Sequence, residues 1–248
     1  MILILGDTHG NFREFQRKFD SAKVEGATIL HVGDFGVGFK ETDSKEVHFL
    51  QELNGFLKKR NSTMYAIRGN HDNPKYFNGD YSYSNLKLVP DYSVIEIEGQ
   101  SFLMVGGAIS IDRRRRLNEM QMFSAAGRYL ESYWYDEHFK LNENKLKEFK
   151  NIDCVITHSA PGEAKPINDY DNHYMSHGHL VESFAKHDSK LKDDLNKERK
   201  DLSKMLKVLK ENNTIKSWYY GHFHSSHKET IDDINFVMVG VSKLIEHK

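Results

Sequence analysis

Cysteine is nearly missing from this sequence: Cys154 is the single thiol among 248 residues. One thiol builds neither a disulfide framework nor a cysteine-only zinc site. Proline is scarce as well, with four residues, and no Gly/Ser-rich stretch interrupts the chain. Nothing therefore marks a linker, and one domain over residues 1–248 is the expectation. No apolar run approaches the ~20 residues of a membrane span, so no membrane partner is expected. The opening MILILGDTHG lacks a basic n-region, and its apolar run stops at Gly6-Asp7. It reads as a strand rather than an export signal, which makes the cytoplasm the expected compartment. Neither sign of charge is in excess: 35 Lys and Arg against 36 Asp and Glu leave a net charge of −1. That balance does not suggest a bulk polyanion binder, although a local basic patch stays open. With 38% hydrophobic residues, the chain is also too apolar for disorder. What it has in quantity is histidine, 14 in all.

The first half alternates strand and helix patterns. Ile2–Leu5 is a short apolar run ending at Gly6-Asp7. Residues 12–24 have helical spacing, with Phe12, Phe15 and Phe19 on one face. Residues 28–32 form a second apolar run, ending at Gly33-Asp34, and residues 44–59 predict a helix with Ser44 as its N-cap. Residues 63–67 form a third run, ending at Arg68-Gly69-Asn70-His71. Three strands with such loops imply a βαβαβ unit, whose ligand site lies beyond the carboxyl ends of the strands. Further on, 92–97 and 101–105 flank Glu98-Gly99-Gln100 as a hairpin, and 152–157 is a buried strand ending at His158. Residues 163–190 are polar and rich in histidine without a clear period, which predicts a long inserted loop or cap. Residues 188–211 predict a charged helix with a thin apolar stripe, and 217–220 and 236–239 the last strands.

At the strand ends stand Asp7 and His9, then Asp34, then Asn70 and His71, then His158, then His222 and His224. Carboxylate, imidazole and carboxamide are the oxygen and nitrogen donors that suit Mn, Fe, Zn and Ni. Each piece alone has an ordinary reading. An Asp-x-His is commonly a turn, a single His is more often a hydrogen-bonded core residue, and Gly-Asn is a frequent turn pair. His222-Phe223-His224 alone fits an edge strand with both imidazoles on one face. Jointly, and in this order, they read as a metal centre. Eight such residues on five strand ends are too many for one ion and suit two ions that share a bridging carboxylate.

Gly6-Asp7-Thr8-His9-Gly10, Gly33-Asp34, Gly69-Asn70-His71-Asp72, Thr157-His158 and Gly221-His222-Phe223-His224 together resemble the motif series of the calcineurin-like metallophosphoesterases. The resemblance runs over residues 1–240. Gly106-Gly107-Ala108-Ile109-Ser110-Ile111-Asp112-Arg113 is similar to a block of small bacterial and phage-type members, in which an aromatic-acidic stretch such as Tyr133-Trp134-Tyr135-Asp136-Glu137 often follows. The resemblance implies an α/β fold, a four-layer α/β/β/α sandwich of two mixed sheets flanked by helices. It also implies two divalent ions, Mn2+ foremost and Fe, Zn or Ni as alternatives. One ion would be held by Asp7, His9 and His224, the other by Asn70, His158 and His222, with Asp34 bridging. His71 would bind no metal and would face the substrate.

Two such cations neutralise phosphoryl oxygens, clamp an in-line displacement and lower the pKa of a shared water, so that hydroxide exists near neutral pH. His71 as imidazolium would protonate the leaving alkoxide, with Asp72 a candidate to orient it. Arg68 would fork a phosphate oxygen; its ordinary reading is a surface arginine. The run Arg113 to Arg116 reads as a solvated loop, with Arg113 or Arg116 the candidates to reach substrate. Tyr133, Trp134 and Tyr135 read as packing rather than a base-stacking platform, and His173, His177 and His179 as loop histidines. Protein Ser/Thr phosphatases of this superfamily carry Gly-Asp-x-Val-Asp-Arg-Gly, whereas this chain has Gly33-Asp34-Phe35-Gly36-Val37-Gly38. The expected activity is thus hydrolysis of phosphate esters, mono- or diester, on a phosphorylated small molecule or nucleotide. A nuclease acting on DNA or RNA, a protein Ser/Thr phosphatase and a non-catalytic binding module on the same fold, like the retromer subunit of this architecture, are the alternatives.

Overall fold

A computed structural model describes residues 1–39, 42–164 and 177–247 of the chain. Four parallel strands, β1 (Ile2–Leu5), β2 (Thr28–His31), β3 (Thr63–Ala66) and β4 (Leu86–Leu88), form the first sheet, and β11 (Leu244–Glu246) joins β1 antiparallel to give the order β11-β1-β2-β3-β4. The second sheet has the order β5-β6-β7-β8-β10-β9. It contains the hairpin β5 (Ser93–Ile97) and β6 (Gln100–Val105), then β7 (Cys154–Thr157), β8 (Ser217–Tyr220) and β10 (Ile234–Met238) parallel to β6, and the edge strand β9 (His227–Ile231) antiparallel to β10. Both sheets are mixed, as the resemblance implied.

The inner strands β1, β6, β7 and β8 are buried nearly throughout because both faces are covered. In β1, Leu3 and Leu5 turn toward the helices α1 (Phe12–Ser21) and α2 (Asp43–Lys59), whose Phe15, Phe19, Leu50, Leu53 and Leu57 pack there. Ile2 and Ile4 turn the other way, onto Phe102, Met104, Ile156 and Val237 of the second sheet. The same alternation in β6 sends Leu103 and Val105 to the outer face. There they meet Leu146 of the short helix α4 (Glu143–Glu148) and Leu202, Met205 and Leu209 of α6 (Leu191–Lys210). The strand period of two thus produces three apolar layers and the four-layer α/β/β/α sandwich.

Several details depart from the expectation. The N-cap of α2 is Thr42, whose hydroxyl accepts from Lys45 N, because Ser44 already lies inside the first turn. The arginine run is the first turn of a helix, α3 (Arg113–Ala125), and not a solvated loop. The 163–190 insertion carries a helix, α5 (His177–Ala185); its residues 165–176, His173 among them, lie outside the described residues. Among the described residues no helix is long and apolar enough to cross a membrane.

Candidate metal centre

The carboxyl ends of β1, β2 and β3 in one sheet and of β7 and β8 in the other open toward each other. Asp7 follows β1, Asp34 follows β2, Asn70 and His71 follow β3, His158 follows β7, and His222 and His224 follow β8. The loops are laced together by main-chain bonds. Thr8 N and His9 N both donate to Asp34 O, at 3.0 and 2.8 Å, and Gly221 N donates to His158 O at 3.1 Å. Asp72 lies under this platform and accepts from Phe35 N, Gly36 N, Val37 N and Gly69 N at 2.6 to 3.1 Å. It therefore ties two loops together and does not orient the His71 ring.

Backbone strain gathers here. His9, Asp34, His222 and His224 all have positive φ, between 46° and 66°. Non-glycine residues hold that conformation at a cost of about 1–3 kcal/mol each, sustained by the surrounding bonds. Close approach also explains the flanking glycines. A Cβ on Gly69 would stand 2.2 Å from Asp34 Oδ1 and 2.7 Å from His158 Nε2, and one on Gly221 would stand 2.1 Å from Asp7 Oδ1.

The side chains converge in two groups that meet at Asp34. In the first, donor atoms of Asp7, His9, Asp34 and His224 all lie within 4.8 Å of one another, with His9 Nε2 and His224 Nε2 3.1 Å apart. In the second, Asn70 Oδ1 lies 3.1 Å from His158 Nε2 and 2.9 Å from His222 Nδ1, and His158 Nε2 lies 3.1 Å from Asp34 Oδ1. His158 Nδ1 faces the carbonyl of Val32 at 2.8 Å. A carbonyl only accepts, so Nδ1 carries a proton and Nε2 is the nitrogen turned to the cluster.

Burial and mutual charge shape the titration. Burial pushes the Asp7 carboxyl up to about 7, with His158 opposing and Asp34 adding. Burial would raise Asp34 too, but the imidazoles of His158 and His71 outweigh it and hold it well below the carboxylate range. Burial depresses His158, yet Asp34 beside it raises it to about 10. His9 and His224 are lowered by desolvation. Two carboxylate oxygens in this setting, Asp7 Oδ1 and Asp34 Oδ2, are buried with no hydrogen-bond partner.

The calcineurin-like phosphoesterase family model matches residues 1–226, nine-tenths of the chain. The chain belongs to that family. No curated protein sequence matches it significantly. Among solved structures, this calcineurin-like phosphoesterase is similar to a novel archaeal phosphodiesterase, at 15% identity over 97% of this chain and 83% of the other, with a TM-score of 0.39. It is similar also to the phosphopantetheinyl hydrolase of Mycobacterium tuberculosis, at 11% identity over 97% and 90% of the two chains and a TM-score of 0.42.

The three arginines singled out in the sequence of this family member are all engaged by protein groups. Arg68 is 5% exposed. Its Nε and Nη2 pair with Asp91 at 3.2 and 2.7 Å, Nη1 donates to the carbonyls of Asp136 and Glu137, and Nη2 donates to that of His138. Its donors are spent on holding the 136–138 segment, which corrects the expectation that it forks a phosphate. Arg113 is paired with Asp188 and Asp194 of the α5–α6 region and does not reach the cluster. Arg116 does reach it. Its Nε pairs with Asp112 at 2.8 Å, Nη1 donates to the carbonyls of Asn70 and Ser132, and Nη2 contacts His71 Nε2 at 2.5 Å.

Arginine has no acceptor, so Nε2 of His71 must present its lone pair. Burial pulls the His71 imidazole down to about 4, Asp34 opposes and Arg116 adds to the fall. That direction runs against the imidazolium expected of it. Sequence reasoning passed over Ser110, Asp112 and Glu137 as individual residues. It named all three inside blocks, but nothing in their spacing told which partner each would find. Phe39 also went unnoticed. It is 40% exposed, with its ring 6.4 Å from that of His71 and edge-on to Trp134 at 5.1 Å.

Proposed function

We propose that this protein hydrolyses phosphate esters with two divalent ions held at the strand ends, Mn2+ being the first candidate. The observation that carries the reading is the pair of buried carboxylate oxygens that no hydrogen bond satisfies, Asp7 Oδ1 and Asp34 Oδ2, set among imidazole and carboxamide donors. Buried anionic oxygens without a partner are costly. Cations placed between Asp7, His9, His224 and Asp34 on one side, and between Asn70, His158, His222 and Asp34 on the other, would satisfy them. The nitrogen and oxygen donor set fits Mn, Fe, Zn or Ni. Bound there, the ions would supply charge neutralisation for the phosphoryl oxygens and activation of water.

The chain's own residues do the rest. Asp34 Oδ1 accepts from His71 N at 2.7 Å and lies 3.1 Å from His158 Nε2, while its Oδ2 lies 3.7 Å from His9 Nδ1. His71 stands at the rim, and Arg116 behind it fixes the ring and supplies a permanent positive charge. Phe39, exposed beside His71 and braced by Trp134, offers a planar surface to a leaving group. That supports a nucleotide or another phosphorylated small molecule with a planar group as substrate.

The test is a panel assay on protein stripped with EDTA and reloaded with Mn2+. It includes p-nitrophenyl phosphate and its bis-ester, nucleotides, cyclic nucleotides, phosphopeptides, and single- and double-stranded nucleic acid. Hydrolysis that EDTA abolishes and Asp34→Asn largely removes is expected. A folded, Mn2+-loaded protein inert across the panel would overturn the reading, and cleavage confined to nucleic acid or to phosphopeptides would replace it with the corresponding alternative.

A further inference from the structure

The block 106–116 wraps the loop that bears Asn70 and His71. Gly107 N donates to Arg68 O at 2.8 Å, and Arg116 Nη1 donates to Asn70 O at 3.2 Å. Between them, Asn70 Nδ2 donates to Ser110 Oγ at 3.1 Å. All the atoms are sealed from water: Ser110 is 0%, Asn70 4% and Glu137 2% exposed.

A carboxamide has two unlike ends. Its oxygen accepts or ligates, and its NH2 only donates. A half-turn about the last bond exchanges them with almost no change of shape, so the hydrogen-bond surroundings alone select the orientation. At Asn70 one end lies against His158 Nε2 and His222 Nδ1, and the other lies against Ser110. The serine is itself held. Its N–H donates to Glu137 Oε1 at 2.7 Å, which fixes the serine beside the carboxamide. Ser110 Oγ accepts from Asn70 Nδ2, and the NH2 end of the carboxamide is held there. The oxygen is left facing the two imidazoles.

We propose that Ser110, its backbone held by Glu137, is a positioning residue that holds the NH2 end of Asn70 and so sets the cation affinity of the Asn70–His158–His222 half of the centre, leaving the Asp7–His9–His224 half unaffected. The proposal rests on the two-ion reading above. Without Ser110 the carboxamide loses the partner that holds its NH2 away from the cation. Loss of such an outer partner typically costs 10- to 100-fold in metal affinity.

The experiment is calorimetric titration of Mn2+ into EDTA-stripped, desalted protein, with no activity readout needed. In wild type two binding events are expected. Ser110→Ala is expected to weaken one event by about 10- to 100-fold, to leave the other within about 3-fold, and to be rescued by Ser110→Thr, which keeps the hydroxyl. A second background guards against a general structural effect. In Asn70→Ala there is no carboxamide left to hold, so adding Ser110→Ala there should cost no further affinity. An equal loss in both backgrounds, an equal loss of both events, or no loss at all would each overturn the proposal. A wild type that binds fewer than two ions would instead overturn the two-ion reading, and the proposal with it.

Discussion

Arg68 and Arg116 both touch the loop that carries His71, and their chemistry diverges through their partners. Arg68 is turned away from the rim onto Asp91 and three carbonyls, whereas Arg116 ends on the His71 ring. Replacing Arg68 by Ala strands Asp91 and those carbonyls. A stability loss of about 3 kcal/mol is expected, the lower end for a broken buried pair because Asp91 is partly exposed, and urea unfolding measures it. Arg116→Ala frees the His71 ring instead. Its kcat on a phosphate ester should fall on the order of 10²-fold, at the low end of what a positioned acid or base contributes, with KM little changed. The reverse assignment, with KM raised by Arg68→Ala and kcat untouched by Arg116→Ala, would contradict the structure. Sequence marked which donor residues would stand at the strand ends, because each follows a short apolar run. It misjudged the arginines because a guanidinium reaches far, and its partners come from segments as distant as Asp91 and the 136–138 carbonyls.

At the scale of elements, α6 supports the centre from behind. Its Glu198, 5% exposed, faces the Ser159 hydroxyl and the backbone amides of Phe139 and Ile109, and so bears on three loops around the site. Burial pushes this carboxyl up to about 7, and its Oε2 has no hydrogen-bond partner. In the unfolded chain a glutamate titrates near 4.3. The folded state thus holds the proton more tightly. The stability tied to it is complete below about pH 4 and is lost as pH rises through 7. Glu198→Gln stays neutral throughout. In EDTA its stability relative to wild type should climb between pH 5 and 8 by as much as about 3 kcal/mol, as urea unfolding at each pH would measure. A flat difference curve would contradict the buried, protonated acid. Strands β1 to β3, β5 to β8 and β10, with α1, α2 and α6, were legible because each has a face that must be covered, whereas the strands β4, β9 and β11 went unread. The helix α3 was not, since it buries Arg116 alone and carries no apolar stripe. The capping of α2 by Thr42 rather than Ser44 is a shift of two residues that side-chain type does not resolve.

At the scale of the molecule, the candidate ligands come from both sheets: Asp7, His9, Asp34 and Asn70 from the ends of β1 to β3, and His158, His222 and His224 from the ends of β7 and β8. Below them the sheets are joined by apolar contact, Ile4 and Leu30 against Phe102 and Ile156. Cations bound at the top would clamp a joint that burial holds at the bottom. Mn2+ at 100 times its dissociation constant should raise stability by about 2.7 kcal/mol per ion, a rise in Tm of roughly 5–10 °C over the EDTA-treated protein in a thermal scan. Asp34→Asn should remove most of that rise. The sequence by itself determined the donor chemistry, the strand ends that carry it and the two-sided burial of the strands, because each of these is written in residue type and short spacing. Tertiary structure decided which arginine meets His71, that Asp72 braces loops instead of a ring, and that Ser110 and Glu137 stand behind Asn70. Those contacts join residues 27 to 45 positions apart or more, where close packing and hydrogen-bond direction, not local pattern, choose the partner.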